Sequence, residues 1–299
     1  MLIQQLINGI TLGSIYALIS LGYTLVYGVL MMINFAHSEI FMVGAFISLG
    51  VLQIPFILGL PLWVQLISSL VCAMLGSALL GFIIERVAYK PLRYAPRLAP
   101  LISAIGVSLF LQNFVFLFVS NQSQSFPPIF PLYRFKIGNC EINSLQIFIL
   151  AVSLLLMVGL QYFVQKTRLG KAIRATASDR ETAELQGINT NGIISLIFLI
   201  GGALGGAAGL LNGMYYGSIK YNMGFLVGIK AFTAAVLGGI GNITGAVVGG
   251  LCIGILESLG AGLIPGGSEW KDLFSFAILI LVLLFRPQGL LGERLPDKL

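Results

Sequence analysis

KTRLGKAIRATASDRETAELQGIN, residues 166–189, is a long polar stretch inside an otherwise apolar chain. It holds five bases and three acids, whereas the whole chain of 299 residues has 17 bases and 11 acids. A stretch this charged does not lie in lipid, because a charged side chain is strongly unfavourable at the centre of a bilayer. Ser178 and Glu181 have the spacing of a capping box, and Gly187 is a natural helix stop. We therefore predict a short helix from Ser178 to Gly187 at a water-facing surface, flanked by membrane spans.

This polar stretch has two interpretations. It is either a solvated loop whose bases only fix the orientation of the chain in the membrane, or a docking surface for another protein. A capped helix of mixed charge favours docking, since a loop that served only orientation would need no such structure.

The composition outside this stretch defines the class of protein. The chain is 57% hydrophobic and 9% charged, whereas soluble proteins are about 25% charged. Its apolar runs are about twenty residues long and do not alternate in polarity, which disfavours a β-barrel. We predict an all-α polytopic membrane protein with about eight or nine transmembrane helices, some of them short, glycine-rich and interrupted. Residues 1–299 are predicted to form one transmembrane domain.

The basic residues predict the orientation of the spans. The loops at 85–97 and 166–184 and the tail from Arg286 are rich in bases and are predicted to be cytoplasmic, with the N-terminus outside. Two short apolar segments, 225–239 and 243–259, either cross the membrane twice or form a re-entrant pair. Residues 120–144 are predicted to be a polar loop. The other predicted spans are Leu2–Tyr27, Ile40–Gln53, Leu62–Ile84, Leu98–Val119, Leu145–Val164, Ile193–Tyr216 and the segment that ends at Phe285.

Glycines at intervals of four residues mark two of these spans. Gly9 and Gly13 lie in the first span, and such a pair lets a neighbouring helix approach closely. The sixth span carries a longer series, and close packing explains it although each glycine lowers helix propensity by about 1 kcal/mol. The predicted packing glycines are Gly201, Gly205, Gly209 and Gly213.

Two short motifs predict interrupted helices. Asn34-Phe-Ala-His37 and Asn242-Ile-Thr-Gly245 each begin a short apolar helix, and transporters carry such breaks in matching places near the substrate path. Both asparagines offer neutral hydrogen bonds, and the helix starts favour an anionic group. The alternative is that the similarity is accidental and the polar groups are solvated or paired near a membrane face. The candidate path residues are Asn34, His37, Glu39, Gly241, Asn242 and Gly245. Lys230 and Glu257 are the other ionisable residues inside apolar spans.

Several catalytic motifs are missing from the sequence. No GxxxxGK[ST] occurs, so ATP hydrolysis by a P-loop is not expected. The chain has one histidine and no HExxH or GxSxG, which disfavours a metal site and a membrane enzyme.

The chain resembles a known family in several motifs at once. Glu181-Thr182-Ala183-x-x-x-Gly187 is similar to the EAA-x-x-x-Gly loop of binding-protein-dependent ABC importer permeases, with Thr182 in place of the usual alanine. The wider sequence resembles the branched-chain amino acid permeases, in particular the LivH-type half. This resemblance covers almost the whole chain and rests on MINFAHSEIFMVGAF, ERVAYKPLRYAPRLAPLISAIGVSLFLQN, TRLGKAIRATASDRETAELQGIN, KAFTAAVLGGIGNITGAVVGGLCIGILE and LLFRPQGLLGE.

The resemblance implies an importer in the bacterial cytoplasmic (inner) membrane. A periplasmic solute-binding protein delivers solute to this chain and a LivM-type second permease, and two ATPase subunits bind ATP and Mg²⁺. No cofactor is expected in this chain, and no nucleic acid partner; membrane lipid surrounds it. The polar stretch then contains a cytoplasmic coupling helix within a coupling loop at 166–190. The residues that match the coupling loop of the family are Arg168, Gly170, Arg174, Asp179, Glu181, Ala183 and Gly187, and those that match its second break are Gly239, Gly241, Asn242 and Gly245.

The solute is left open by the sequence. Members of this family carry leucine-type amino acids, other neutral amino acids or urea. A self-sufficient secondary carrier or channel is the alternative from another class, and the missing intramembrane acid-base relay and the predicted docking helix disfavour it.

Overall fold

The first half of the chain forms three long helices, two shorter ones and a small hairpin. A computed structural model describes residues 2–93, 95–96, 98–131, 133–137, 140–263, 266–286 and 288–292. A π-helix at Glu85–Tyr89 and a 3-10 turn at Lys90–Leu92 continue the fourth helix. The elements are α1 (Leu2–Leu30), α2 (His37–Leu52), α3 (Pro55–Leu58), α4 (Leu62–Ile84), α5 (Leu98–Phe118), β1 (Gln124–Ser125), β2 (Arg134–Ile137) and β3 (Cys140–Asn143).

The second half contains the polar stretch and four further long helices. These elements are α6 (Ser144–Lys166), α7 (Arg168–Ser178), α8 (Arg180–Leu185), α9 (Thr190–Tyr216), β4 (Ser218–Ile219), α10 (Met223–Gly238), α11 (Ile243–Leu263) and α12 (Gly267–Phe285). Strand β1 pairs with β4, and β2 with β3, both antiparallel.

The predicted class, an all-α polytopic membrane protein, is confirmed. Within the described ranges, six helices are long and apolar enough to cross a membrane, and α2 and α10 are shorter apolar helices. Helix α11 is one of the six, so the pair that the sequence left open consists of a full-length helix and a shorter one. The predicted loop at 120–144 contains a β-hairpin that hydropathy did not reveal.

Helix α6 runs from one end of the bundle to the other. Its 23 residues span about 34 Å and join the β2–β3 hairpin to α7 and α8. We call these the hairpin end and the α8 end. Helix α1 starts at the hairpin end, where the Gln4 amide donates to the carbonyl of Glu141 (2.9 Å). Helix α9 starts beside α8 and runs to the hairpin end, where β4 follows it.

The glycines of α1 pack as the spacing predicts. A Cβ at Gly9 would lie 2.6 Å from the Cα of Ile255, and one at Gly13 would lie 2.8 Å from the Cα of Leu251. Helix α11 therefore lies against α1 with backbone almost in contact, and the two run antiparallel. This close packing of the two backbones offsets the low helix propensity of glycine in a membrane helix.

The glycines of α9 face three different neighbours. A Cβ at Gly209 would collide with the carbonyl oxygen of Phe41 in α2, and one at Gly213 would lie 2.8 Å from the Phe126 ring. A Cβ at Gly201 would lie 3.7 Å from the His37 ring and one at Gly205 would lie 3.6 Å from it, both ordinary van der Waals distances. Part of the predicted series thus holds α2 close, whereas the imidazole needs the missing side chain of Gly22 in α1, where a Cβ would lie 2.0 Å from the ring.

The predicted capping box at Ser178 is wrong. Ser178 is the last residue of α7, and Asp179 caps α8 instead: its carboxylate accepts from the backbone N–H of Glu181 (3.0 Å) and Thr182 (3.2 Å). The adjacent aspartate competes for the same N–H groups with two acceptor oxygens. The polar stretch therefore forms two helices, α7 and α8, with extended backbone at Asp179 between them.

Candidate functional site

The first helix break lies inside the bundle. Residues 31–36 are not helical and end in a turn, in which the His37 N–H donates to the Asn34 carbonyl (3.1 Å), and α2 begins at His37. The His37 imidazole packs against Gly22, eight residues before the end of α1, so α2 begins about 12 Å inside the α8 end. Asn34, within this non-helical segment, is buried and accepts a hydrogen bond from the Tyr89 hydroxyl (3.0 Å).

His37 and Glu39 are both buried at the start of α2. The His37 ring packs against Gly22, Gly201 and Gly205. The Tyr23 ring contacts it edge-on, with the two ring centroids 5.0 Å apart. One carboxylate oxygen of Glu39 accepts from the Ser108 hydroxyl at 3.2 Å. The other oxygen, like His37 Nε2, has no hydrogen-bond partner among the residues the structure describes.

A second helix begins beside the first one. A Cβ at Gly224, in the first turn of α10, would lie 2.5 Å from a Glu39 carboxylate oxygen, and one at Gly228 would collide with Ser38. Since α9 ends at the hairpin end, residues 217–222 must return into the bundle before α10 starts. Helices α2 and α10 therefore start side by side, reached by non-helical segments from opposite ends.

The second predicted motif lies elsewhere. Asn242 caps α11: its carbonyl oxygen accepts from the Gly245 N–H (3.0 Å), and its amide donates to the Leu291 carbonyl (2.9 Å). Gly241, at φ +97°, lies beside Gly28 near the end of α1, and thus at the α8 end. The motif does begin a helix, as predicted, but the helix that meets α2 is α10. The path roles of Asn34, His37, Glu39, Gly241, Asn242 and Gly245 stay predictions.

Four of the predicted coupling residues shape the polar stretch, one at the start of α7 and three in and around α8. Gly170 is buried against the carbonyls of Phe163 and Val164, where a side chain would collide. Ala183 is the buried residue of α8. Asp179 caps the start of that helix, and Gly187 follows its end with φ +82°. Arg168, Arg174 and Glu181 are exposed. Their coupling roles stay predictions.

Leu185 is a docking candidate that the sequence reasoning missed. It lies on α8 and is 87% exposed. A single exposed leucine is common on a protein surface, but on a capped helix it offers a partner an apolar anchor. The motif spacing drew attention to Glu181 and Gly187. It did not indicate the exposed apolar side chain that lies between them.

Helix α8 is tied to α9 by a side-chain bond. The Thr190 hydroxyl donates to the Glu184 carboxylate, and Arg180 lies 3.3 Å from the same oxygen. The Thr190 hydroxyl, and after it Arg180, lower the pKa of the Glu184 carboxyl below its usual value. The carboxylate therefore stays charged at neutral pH and holds α8 to the first residue of α9.

A buried charged cluster joins three helices near the hairpin end. Lys230 of α10 lies 2.7 Å from a carboxylate oxygen of Glu257 in α11 and 2.6 Å from one of Asp272 in α12. The Tyr16 hydroxyl donates to the other Glu257 oxygen at 2.9 Å. For Lys230 and Glu257 the paired alternative is thus confirmed. In the part of the chain that the structure describes, no three histidine, cysteine or acidic residues are placed to hold a metal ion.

These features define a class of protein. Two helices that begin side by side inside a membrane bundle, reached by non-helical segments from opposite ends, are typical of solute transporters. Residues 5–283 match the family model described as branched-chain amino acid transport system / permease component. The chain belongs to this family.

Individual relatives agree with the family match. The chain is 47% identical over 304 residues to the high-affinity branched-chain amino acid transport system permease protein BraD of Pseudomonas aeruginosa, covering 99% of this chain and 97% of that protein. It is 45% identical over 302 residues to LivH of Escherichia coli K12, with the same coverage. Among solved structures, PsaBC from Streptococcus pneumoniae in complex with Fab is 14% identical with a TM-score of 0.46, covering 95% of this chain and 91% of that chain.

Proposed function

We propose that this chain is the transmembrane permease subunit of a binding-protein-dependent ABC importer for branched-chain or other neutral amino acids. The observation that carries the proposal is the full-length match to the permease family together with the exposed α8, which gives an ATPase a place to dock. The chain has no P-loop of its own, so the energy enters from separate ATPase subunits that bind ATP and Mg²⁺.

The docking surface is the water-facing side of α8. Leu185 supplies an apolar anchor, and Glu181 and Arg174 supply charge around it. A central apolar anchor within a polar rim is the usual anatomy of a protein interface. The α8 end then faces the cytoplasm of a bacterial inner membrane. Because α1 starts at the hairpin end and α12 ends near α11's start, the N-terminus lies outside and the C-terminus inside.

The substrate path runs past the starts of α2 and α10. Their N–H groups and Asn34 suit the carboxylate of an amino acid, since a helix start favours an anionic group. Glu39 lies at the same level and suits the ammonium group. Substrate is handed over by a periplasmic solute-binding protein at the hairpin end.

Helix α5 is the proposed contact with a LivM-type second permease subunit. Of its 21 residues, only Pro100, Ala104, Leu111 and Val115 are buried. Among the described residues, the exposed Asn113 amide donates only to the Leu109 carbonyl of its own helix (2.7 Å), so hydrocarbon would leave its oxygen unsatisfied. A photo-cross-linker at Asn113 is expected to capture the second permease; capture of lipid alone would contradict this placement.

Reconstitution tests the proposed function. Proteoliposomes holding both permeases and the ATPase subunits, with binding protein and radiolabelled leucine outside and ATP inside, are expected to accumulate leucine. Omission of the ATPase subunits or of the binding protein should abolish uptake. Robust ATP-independent uptake by this chain alone would contradict the proposal and favour a self-sufficient carrier. Uptake of urea but not of leucine would contradict only the proposed substrate class, and the proposal of an ABC importer permease would stand.

A further inference from the structure

A single buried hydrogen bond reaches the first helix break from another element. Tyr89, at the end of the π-helix, is 1% exposed and donates its hydroxyl proton to Asn34 Oδ1 at 3.0 Å. The Asn34 amide nitrogen has no partner among the described residues, so this is its side chain's one described hydrogen bond. A buried polar group that loses its partner is left unsatisfied. The conformation of the break is thus sensitive to the position of Tyr89.

The π-helix itself is clamped to α9. Glu85 accepts from the Ser195 hydroxyl at 2.9 Å, and Tyr89 packs on the Phe198 ring with centroids 5.1 Å apart. Arg93, just beyond the 3-10 turn, binds both Glu85 and Asn191 of α9. A π-helical turn inside a membrane helix is rare and is often found at functional sites. Here it directs Glu85 toward the start of α9 and Tyr89 toward Asn34.

The same part of α9 is joined to the docking helix. Thr190 donates to Glu184 of α8, and the Ile188 N–H donates to the Ala183 carbonyl at 3.0 Å. Helix α8, the first two turns of α9 and the segment 85–93 are therefore held together by directional bonds. Tyr89 carries the contact from this unit into the break.

We propose that Tyr89 is a positioning residue that transmits movement of the docking helix to the helix break through its bond to Asn34. The inference rests on the proposed function, because the movement comes from an ATPase bound at α8. The unit moves with α8 and shifts the Tyr89 hydroxyl. Asn34 follows, and residues 31–36 change the start of α2, where His37 and Glu39 lie.

The break has a point at which it can bend. Met31, directly after α1, has φ +52°, in the left-handed region that residues other than glycine rarely adopt. Such a backbone is unfavourable and persists only where its surroundings hold it. The bond to Tyr89 is one of the contacts that hold the segment after Met31, so its loss permits the segment to relax.

Removal of one hydroxyl tests the inference. In the reconstituted complex, Tyr89→Phe is expected to lower the leucine transported per ATP hydrolysed about fivefold, the effect of one hydrogen bond of about 1 kcal/mol. Tyr162→Phe, the same change on an exposed tyrosine of α6, is the matched control and should leave this ratio unchanged. A purely structural role for Tyr89 would reduce the yield of complex and leave the ratio as in the wild type.

A double-mutant cycle separates the bond from the path. Asn34→Leu removes the acceptor and also alters the break. If Tyr89 acts through Asn34, Tyr89→Phe in the Asn34→Leu background should lower the ratio no further. A further fivefold loss would overturn the inference, as would an unchanged ratio in Tyr89→Phe alone.

Hydrogen exchange in the wild-type complex tests the same inference without a variant. Nucleotide trapping is expected to change amide exchange in residues 31–36 and 85–93 together with that in α8. A change confined to α8 would overturn the inference, including where Tyr89→Phe fails to assemble. A wild-type complex without ATP-dependent uptake would overturn the proposed function, and this inference with it. Active wild type with an unaltered Tyr89→Phe ratio would overturn the inference alone.

Discussion

Removal of the Lys230 ammonium is expected to be strongly destabilising. Lys230 is 5% exposed and lies within 2.7 Å of Glu257, which is 3% exposed. Lys230→Met leaves the Glu257 carboxylate buried with only the Tyr16 hydroxyl as a described partner. The attraction between two unit charges at this distance is about 6 kcal/mol at an effective dielectric constant of about 20. The cost of burying both charges offsets part of that attraction, so we expect a loss of about 3–5 kcal/mol.

The other members of the cluster predict a graded series. Glu257→Gln should cost less than Lys230→Met, because Lys230 keeps Asp272 at 2.6 Å. Asp272→Asn should cost about 1 kcal/mol or less, because that carboxylate is 36% exposed and solvent screens it. The double variant Lys230→Met/Glu257→Met should recover most of the loss, since both buried charges are gone.

Equilibrium unfolding in mixed detergent micelles, followed by circular dichroism, measures these differences. The expected order of the variants, from least to most stable, is Lys230→Met, Glu257→Gln, Asp272→Asn. It would be refuted if Lys230→Met were no less stable than Asp272→Asn, or if the double variant were as unstable as Lys230→Met.

Three further substitutions probe packing, the helix cap and the helix end. Gly209→Val is expected to destabilise the bundle by about 3 kcal/mol, because the new side chain meets the backbone of α2, whereas Gly159→Val, with open space around it, is the neutral control; equal stability of the two in micelle unfolding would contradict this packing. Asp179→Ala should weaken α8 by about 1 kcal/mol and reduce ATPase binding, while Ser178→Ala should not, and the reverse order in a pull-down would restore the serine cap. Gly187→Leu should cost about 1–2 kcal/mol at φ +82° and lower ATPase affinity with membrane insertion intact; wild-type affinity would show that the turn tolerates a side chain.

Much of the helical framework was predictable because it depends on local sequence. Long apolar runs identify spans, and the Gly9–Gly13 spacing predicts a close helix neighbour, which the structure shows to be α11. The start of α11 also follows from Asn242, since an N-cap acts within three residues. The cap of α8 was assigned one residue early, because Ser178 and Asp179 are both good caps and only the backbone geometry decides between them.

The long-range contacts could not be read from the sequence. That α10 rather than α11 meets α2 depends on the return of residues 217–222 into the bundle, which hydropathy does not reveal. Tyr89 and Asn34 are 55 positions apart, and Lys230 and Glu257 are 27 apart, so no local pattern links them. The exposure of Leu185 likewise depends on which face of α8 Ala183 occupies.

Cross-linking from α8 tests the central claim most directly. The claim is that an ATPase docks on α8 and drives this permease. With a photo-reactive amino acid in place of Leu185, irradiation of the assembled complex in its membrane should link this chain to the ATPase subunit. The same group in place of Tyr162, on the exposed face of α6, should not form that link. Cross-links from Leu185 to lipid alone, in a complex that transports leucine with ATP, would contradict the account.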